Sequence, residues 1–285
     1  MSRVAYQGEP GAFGEDAVIG WFGEGVEPIG VATFSAVCAS VESGTAHAGV
    51  LPLENSLAGM VGDALDALAG GTLRVVGEVM LPIRHQLLVL DGAALEDVRR
   101  VSSHWQALAQ CGRFLAGRGW EVVPAADTAG AARELAAVGD RTNAAIASHR
   151  AAARYGLTVA APDIQDADHN LTRFAVLVAD GAVAPTEPAG PLAPSGTERE
   201  TLITFETGHR PGDLHRALGS LAAAGINLSR IESRPSGEGP WRYRFLIQVA
   251  GDADADPLRG ALAGLREHTS SLRVLGSFTT GGEDH

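Results

Sequence analysis

The 285-residue chain contains no lysine; all 22 of its basic residues are arginine. In their usual form, Schiff-base and pyridoxal-phosphate enzymes, Walker-A nucleotide binders and protein kinases each need a particular lysine, so these classes are excluded. Cysteine is nearly as scarce. Cys38 and Cys111 make neither a CxxC pair nor a disulfide framework. The nine histidines are scattered, with no HExxH and no close pair facing one way, so no protein-bound catalytic metal is expected. No apolar run reaches about 18 residues, the usual minimum for a membrane span. The segment Met1 to Tyr6 runs straight into strand-like sequence without a basic-then-apolar leader, and a cytoplasmic location is expected. Positive charge is also short. A net charge of −12 argues against nucleic-acid or anionic-membrane partners, which need basic patches.

What is present suits a globular protein. Hydrophobic residues make up 45% of the chain, enough for a core, and the length suggests one large domain or two smaller ones. The clearest boundary is Gly181 to Glu198, where Pro185, Pro188, Pro191 and Pro194 prevent a helix and remove strand donors. It separates a body, residues 1–180, from a tail, residues 199–280. In the body, strand-like runs (Arg3–Tyr6, Ala48–Leu51, Leu73–Leu81, Gln86–Leu90, Glu121–Pro124, Ala144–Ala147, Arg173–Ala179) alternate with helical patterns. The helices expected are Ala12–Phe22, Phe34–Ser43 behind an N-cap at Thr33, Gln106–Ala116, Ala129–Ala137 and His149–Tyr155. Such alternation implies an α/β architecture with ligands at the carboxyl ends of strands. The tail reads βαββαβ, the ferredoxin-like unit, small enough that pairing with a copy of itself is a natural remedy for its exposed edge or face.

Several loops carry candidate chemistry. The first, Gly8-Glu9-Pro10-Gly11-Ala12, enters a helix and reads either as an anion site or as a tight turn, since the GxGxxG spacing is absent. Glu54-Asn55-Ser56 leaves a buried strand, where Asn55 and Ser56 can face a cleft or cap the next helix. Ser103 and Gln110 span about two turns and can share a helix face; the alternative is an N-cap serine and a solvent-facing glutamine. A Ser103–His104 nucleophile is disfavoured because neighbouring side chains diverge and no acid orients the histidine. Thr172-Arg173-Phe174 opens an apolar strand, and its polar pair requires hydrogen-bond partners, from a bound carboxylate or an internal salt bridge. In the tail, Gly212 and Asn227 could meet a small zwitterion or simply form turns.

Together these segments resemble the bacterial prephenate dehydratases with a C-terminal ACT regulatory domain. The match is ordered along nearly the whole chain: Tyr6–Ala12, Glu54-Asn55-Ser56, Ser103-His104 through Gln110-Cys111, Thr172-Arg173-Phe174, Pro211-Gly212-x-Leu214 and Glu232-Ser233-Arg234-Pro235. The resemblance implies a two-lobed catalytic domain like a type II periplasmic binding protein, and the ferredoxin-like ACT unit after it. It implies decarboxylating dehydration of prephenate to phenylpyruvate, with no cofactor and no metal, because aromatisation drives the reaction. By the same resemblance, catalytic residues fall on Asn55, Ser103, Gln110, Thr172, Arg173 and Phe174, with substrate contacts around Gly11, Ala12, Glu54 and Ser56. L-phenylalanine would inhibit at Gly212, Leu214, Asn227 and Leu228, in a homodimer or homotetramer. Trp105, Gly14 and Asp213 depart from the usual pattern; the first two lie near the expected cleft. Arginine on the departing carboxylate would stabilise the ground state, so Arg173 is expected on the pyruvyl carboxylate or in a structural role. Because the linker is flexible on this reading, control should pass through subunit packing, and removing the tail should abolish inhibition but not activity. Arogenate dehydratase, a prephenate decarboxylase and a non-catalytic amino-acid sensor are the alternatives.

Overall fold

The computed structural model describes residues 1–182, 188–194, 196–208, 210–237 and 239–280. The chain starts with β1 (Ser2–Gln7), α1 (Phe13–Phe22), β2 (Val26–Val31), α2 (Phe34–Glu42) and β3 (Ala48–Asn55). A short β4 (Gly59–Met60), α3 (Gly62–Gly70) and β5 (Arg74–Pro82) follow. It then crosses into β6 (Gln86–Val89), β7 (Arg100–His104), α4 (Trp105–Gln110), α5 (Gly112–Leu115), β8 (Glu121–Ala125), α6 (Thr128–Val138), β9 (Asn143–Ala147), α7 (His149–Tyr155) and β10 (Thr158–Ala161). Strand β11 (Leu171–Val178) returns to the first sheet. Two sheets result, ordered β2-β1-β3-β11-β5 and β10-β6-β9-β7-β8, each covered by helices. This is the two-lobed α/β arrangement expected, with the chain crossing between lobes at residues 83–85 and 162–170.

Most of the sequence signals reappear. Thr33 caps α2 by accepting the Ala36 N–H at 3.1 Å, and Asp127 and Ser148 cap α6 and α7. Strand β2 was not legible because Pro28 and Gly30 interrupt it, which only an edge position tolerates. Strand β7 and helix α3 also went unread. The single helix expected over Gln106–Ala116 is two, broken at Cys111, whose ψ of 22° leaves the helical region.

The tail forms β12 (Arg199–Glu206), α8 (Asp213–Ala223), β13 (Leu228–Pro235), β14 (Tyr243–Ala250), α9 (Leu258–Glu267) and β15 (Ser271–Thr279). Its antiparallel sheet, β13-β14-β12-β15, is the ferredoxin-like order. One face packs on α8 and α9. The other contributes Leu202, Leu246, Leu275 and Phe278 to the core of the first lobe, beside Leu51, Leu53 and Leu177. Gly276 permits this contact: a Cβ there would run into the Val75 carbonyl of β5. The connecting segment is not free either. Pro185 lies outside the described residues, but Ala189 and Gly190 donate backbone hydrogen bonds to the Trp21 carbonyl and Leu192 to that of Gly20. The expectation of a flexible tether therefore does not hold for residues 188–194, because this stretch finds backbone acceptors at the end of α1.

Candidate active site

Between the lobes lies a cavity of about 500 Å3. Asn55, Thr172 and Phe174 enter it from the first lobe, Gln110, His104 and Trp105 from the second, and His85 from the crossing. Antiparallel register puts Thr172 opposite Asn55. Asn55 Oδ1 accepts the N–H groups of Leu57 and Ala58 at 3.1 and 2.9 Å, which fixes its amide so that Nδ2 faces the strand. Nδ2 has three acceptors in reach for its two hydrogens: Asn170 Oδ1 (2.8 Å), Thr172 Oγ1 (2.9 Å) and the Leu171 carbonyl (3.1 Å). Thr172 Oγ1 thus accepts from Asn55, leaving its own hydrogen to be donated elsewhere.

Gln110 joins the lobes. Its Oε1 accepts from Asn170 Nδ2 at 2.9 Å and lies 2.9 Å from His85 Nε2, while its Nε2 donates to Asn55 Oδ1 at 3.4 Å. Every member of this network is neutral. Among the described residues the cavity wall carries the carboxylates Asp63 and Asp127 and no guanidinium. Burial holds both His85 and His104 below the ordinary histidine range, against Gln110 in the first case and the Asp127 charge in the second.

Not every residue expected here arrives. Ser103 belongs to β7 rather than to the helix, and its buried Oγ donates to the Ile146 carbonyl at 2.5 Å. It therefore shares no helix face with Gln110. His104 is engaged separately, its Nδ1 accepting the Gln106 N–H. Ser56 Oγ donates to the His169 carbonyl at 2.8 Å and accepts the Leu171 N–H, which fastens the returning strand. Ala12 lines the cavity. Gly11 instead closes the lobes behind it: Ser148 Oγ donates to its carbonyl at 2.6 Å, and at φ 92° a Cβ would sit 2.7 Å from Ala151 Cα. Its N–H is taken by Glu15 at 2.6 Å, so the turn reading of this loop prevails over the anion reading. Two of the three departures from the usual pattern, Gly14 and Trp105, stand on the cavity wall, Trp105 being 61% exposed.

Arg173 leaves the cavity altogether. Side chains alternate along a strand, so Thr172 and Phe174 face the cleft while Arg173 faces the tail. Arg173 Nη1 lies 3.3 Å from Glu78 Oε2, and Glu78 Oε1 lies 3.8 Å from Arg230 Nη2 of β13. Arg230 also pairs with Glu54 at 3.1 Å, turning that carboxylate away from the cleft. Gln248 of β14 donates to both Glu78 and Glu200. Burial pushes the Glu78 carboxyl up, and the two guanidinia pull it back. Nearby, Arg234 pairs with Asp66 at 2.7 Å and Arg273 donates to the Gly71 and Leu73 carbonyls.

In the tail, Gly212 and Leu214 line a hollow together with Thr207, Arg210 and His215. Asp213 is neutralised within it by the Arg210 N–H and by Arg216, which hold its carboxyl below the usual range. Asn227 and Leu228 sit apart, at the start of β13; the Asn227 carbonyl accepts the Ala250 N–H and Leu228 packs in the tail core. Sequence reasoning missed His85, Asn170, Glu78 and Arg230. Asn170 had a signal, as a polar residue two positions before Thr172.

A two-lobed α/β fold with amide, hydroxyl and imidazole groups converging on the cleft between its lobes has the build of a small-ligand site, suited to recognition by hydrogen bonding. The model of the prephenate dehydratase family matches residues 4–182. Arogenate dehydratase/prephenate dehydratase 2 of Arabidopsis thaliana is 39% identical over 287 residues, covering 97% of this chain and 72% of that one. A bifunctional N-acyl-homoserine lactone acylase/prephenate dehydratase of Komagataeibacter europaeus is 35% identical, covering 96% and 95%. A solved prephenate dehydratase from Arthrobacter aurescens, in complex with L-Phe, superposes with a TM-score of 0.85 at 32% identity, covering 97% and 89%. The chain belongs to the prephenate dehydratase family and is a carbon–oxygen lyase.

Proposed function

We propose that the cleft converts prephenate to phenylpyruvate with Thr172 as the donor to the departing hydroxyl. The observation that carries this reading is the hydrogen bond from Asn55 Nδ2 to Thr172 Oγ1. It occupies the oxygen as an acceptor and aims the remaining hydroxyl hydrogen elsewhere in the cavity. As the ring carboxylate leaves as CO2, its electron pair enters the ring and the ring C–O bond breaks. Thr172 donates its hydrogen bond to the departing oxygen, which takes up a proton from solvent, directly or relayed through that hydroxyl, and leaves as water. A positioned donor of this kind typically contributes about 10²–10⁴-fold. A wall without a guanidinium among the described residues suits the step, since a cation on the ring carboxylate would resist its loss. Phe174 supplies an apolar surface, and Asn55 and Gln110 supply neutral contacts. The ion pair of Arg173 with Glu78 supports the structural alternative for that arginine.

The tail is proposed to be an ACT unit that binds L-phenylalanine. Its ferredoxin-like order and the hollow at Gly212 and Leu214 support this, as does the L-Phe complex of the Arthrobacter relative. Asn227 and Leu228 lie outside that hollow, and a second copy of the chain would supply the missing wall in a homodimer or homotetramer. A cytoplasmic location is part of the same reading; no helix among the described residues is long and apolar enough to cross a membrane.

Turnover decides. The protein should form phenylpyruvate from prephenate, read by its ultraviolet absorbance, and Thr172→Ala should lose about two to four orders of magnitude in kcat. Faster turnover of arogenate, whose amine replaces the keto group, would reassign the substrate. Formation of neither product would end the proposal. The acylase activity of the Komagataeibacter relative finds no support at Ser103, whose hydroxyl is buried on the Ile146 carbonyl.

A further inference from the structure

His85 sits where the chain first crosses between lobes, and both of its backbone groups are held by the second crossing. Its N–H donates to Gln165 Oε1 at 2.9 Å and its carbonyl accepts the Ile164 N–H at 2.9 Å. The residue is 2% exposed, its ring lies edge-on to Phe13 with centroids 5.5 Å apart, and it forms part of the cavity wall. Its Nε2 is 2.9 Å from Gln110 Oε1, whereas Nδ1 is buried without a hydrogen-bond partner among the described residues.

The tautomer follows from the amide. Gln110 Oε1 already accepts from Asn170 Nδ2, and an amide oxygen only accepts, so His85 Nε2 must carry the hydrogen. Neutral imidazole has one N–H, which leaves Nδ1 as a bare acceptor. A doubly protonated ring would bury an N–H with nothing to receive it. Burial alone already disfavours that cation. With Oε1 held by His85 and Asn170, the Gln110 amide cannot turn over, and its Nε2 is directed to Asn55, the residue that orients Thr172.

We propose that His85 is a positioning residue of the dehydratase. Its Nε2–H fixes the Gln110 amide, which braces from the second lobe the Asn55 amide that Leu57 and Ala58 orient, and so the Asn55–Thr172 pair. It touches no reacting atom and exchanges no proton. The inference rests on the reading of this cleft as the site of prephenate turnover.

Misplacing groups by about 1 Å typically costs on the order of 10²-fold. His85→Leu should therefore lower kcat roughly ten- to hundredfold with a smaller change in KM. His85→Gln, whose amide can donate from nearly the Nε2 position, should recover most of the loss. Because His85 acts through Gln110, His85→Leu combined with Gln110→Met should be no slower than Gln110→Met alone. Nitrogen NMR of the wild-type protein should show His85 neutral and protonated at Nε2. Unchanged kcat in His85→Leu, equal losses in the Leu and Gln variants, additive losses in the double variant, or an Nδ1–H tautomer would each overturn the assignment. If His85→Leu does not fold, the Gln variant and the tautomer still decide it. An inactive wild type would instead remove the functional reading, and the same cycle read as phenylpyruvate affinity would judge His85 alone.

Discussion

The two faces of β11 are built from opposite chemistry. On the cleft side Thr172 belongs to a network of amides, a hydroxyl and an uncharged imidazole. On the tail side, one residue along, Arg173 belongs to a buried cluster of guanidinia and carboxylates. Neutral donors can hold a substrate whose ring carboxylate must leave, without anchoring the charge that has to disappear. The charged cluster does something else. Buried ions are costly unless paired, and Glu78 is paired with Arg173 at 3.3 Å and, across the tail contact, with Arg230 at 3.8 Å. On the proposed reading one face serves turnover, while the other joins the first lobe to the tail.

That contrast can be broken by substitution. The largest effect should be on rate: Thr172→Ala slows kcat by about two to four orders of magnitude while leaving the melting temperature nearly unchanged. A matching drop in stability would mean that the cleft face is structural too. Next, Glu78→Leu should destabilise the fold by about 3–5 kcal/mol in urea melts, because two buried guanidinia lose their carboxylate. Full stability in this variant would dismiss the cluster as an interface element. Arg230→Met is expected to cost less, because Glu78 keeps Arg173 and Glu54 is partly exposed. Truncation after Glu198 is a blunter instrument than the linker reading implied. It uncovers Leu51, Leu53 and Leu177 as well as Glu78, so stability and activity should fall along with inhibition.

Two smaller effects sharpen the picture. The folded state holds His85 and His104 below their ordinary pKa, so on acidification the unfolded chain takes up protons first. Stability should decline as pH falls below about 6.5 and level off beneath the folded pKa values, and His85→Gln should flatten that slope. A melting temperature that rises on acidification through this range would contradict the burial argument. Smallest is the salt effect. A chain of net charge −12 repels an anionic substrate, so kcat/KM should increase a few-fold between low and physiological ionic strength. A decrease would point to a cationic attraction site on the approach to the cleft.

Much of this was legible in the residues and some of it was not. The Thr172-Arg173-Phe174 triplet announced the site, and its three members could have been divided between two faces from strand periodicity alone. Gln110 was found, but its pairing with Ser103 failed because the helix begins at Trp105 and Ser103 ends up inside β7. His85 gave no signal, since a lone histidine between two apolar strands looks like any buried core residue. Glu78 and Arg230 lie more than 150 residues apart. Neither position is unusual within its own strand, and only docking of the tail sheet on β5 brings them together.

The sequence by itself determined most of the elements, their βα alternation, the ferredoxin-like tail and the polar residues at the carboxyl ends of strands. These depend on local periodicity, capping and turn chemistry, which neighbours in the chain decide. The tertiary structure decided which of those polar residues face each other across the lobes, which amide is oriented by which, and that Arg173 serves the tail rather than the cleft. Such choices depend on register and on burial between distant segments, where an unpaired polar or charged group costs more than any local preference can offset.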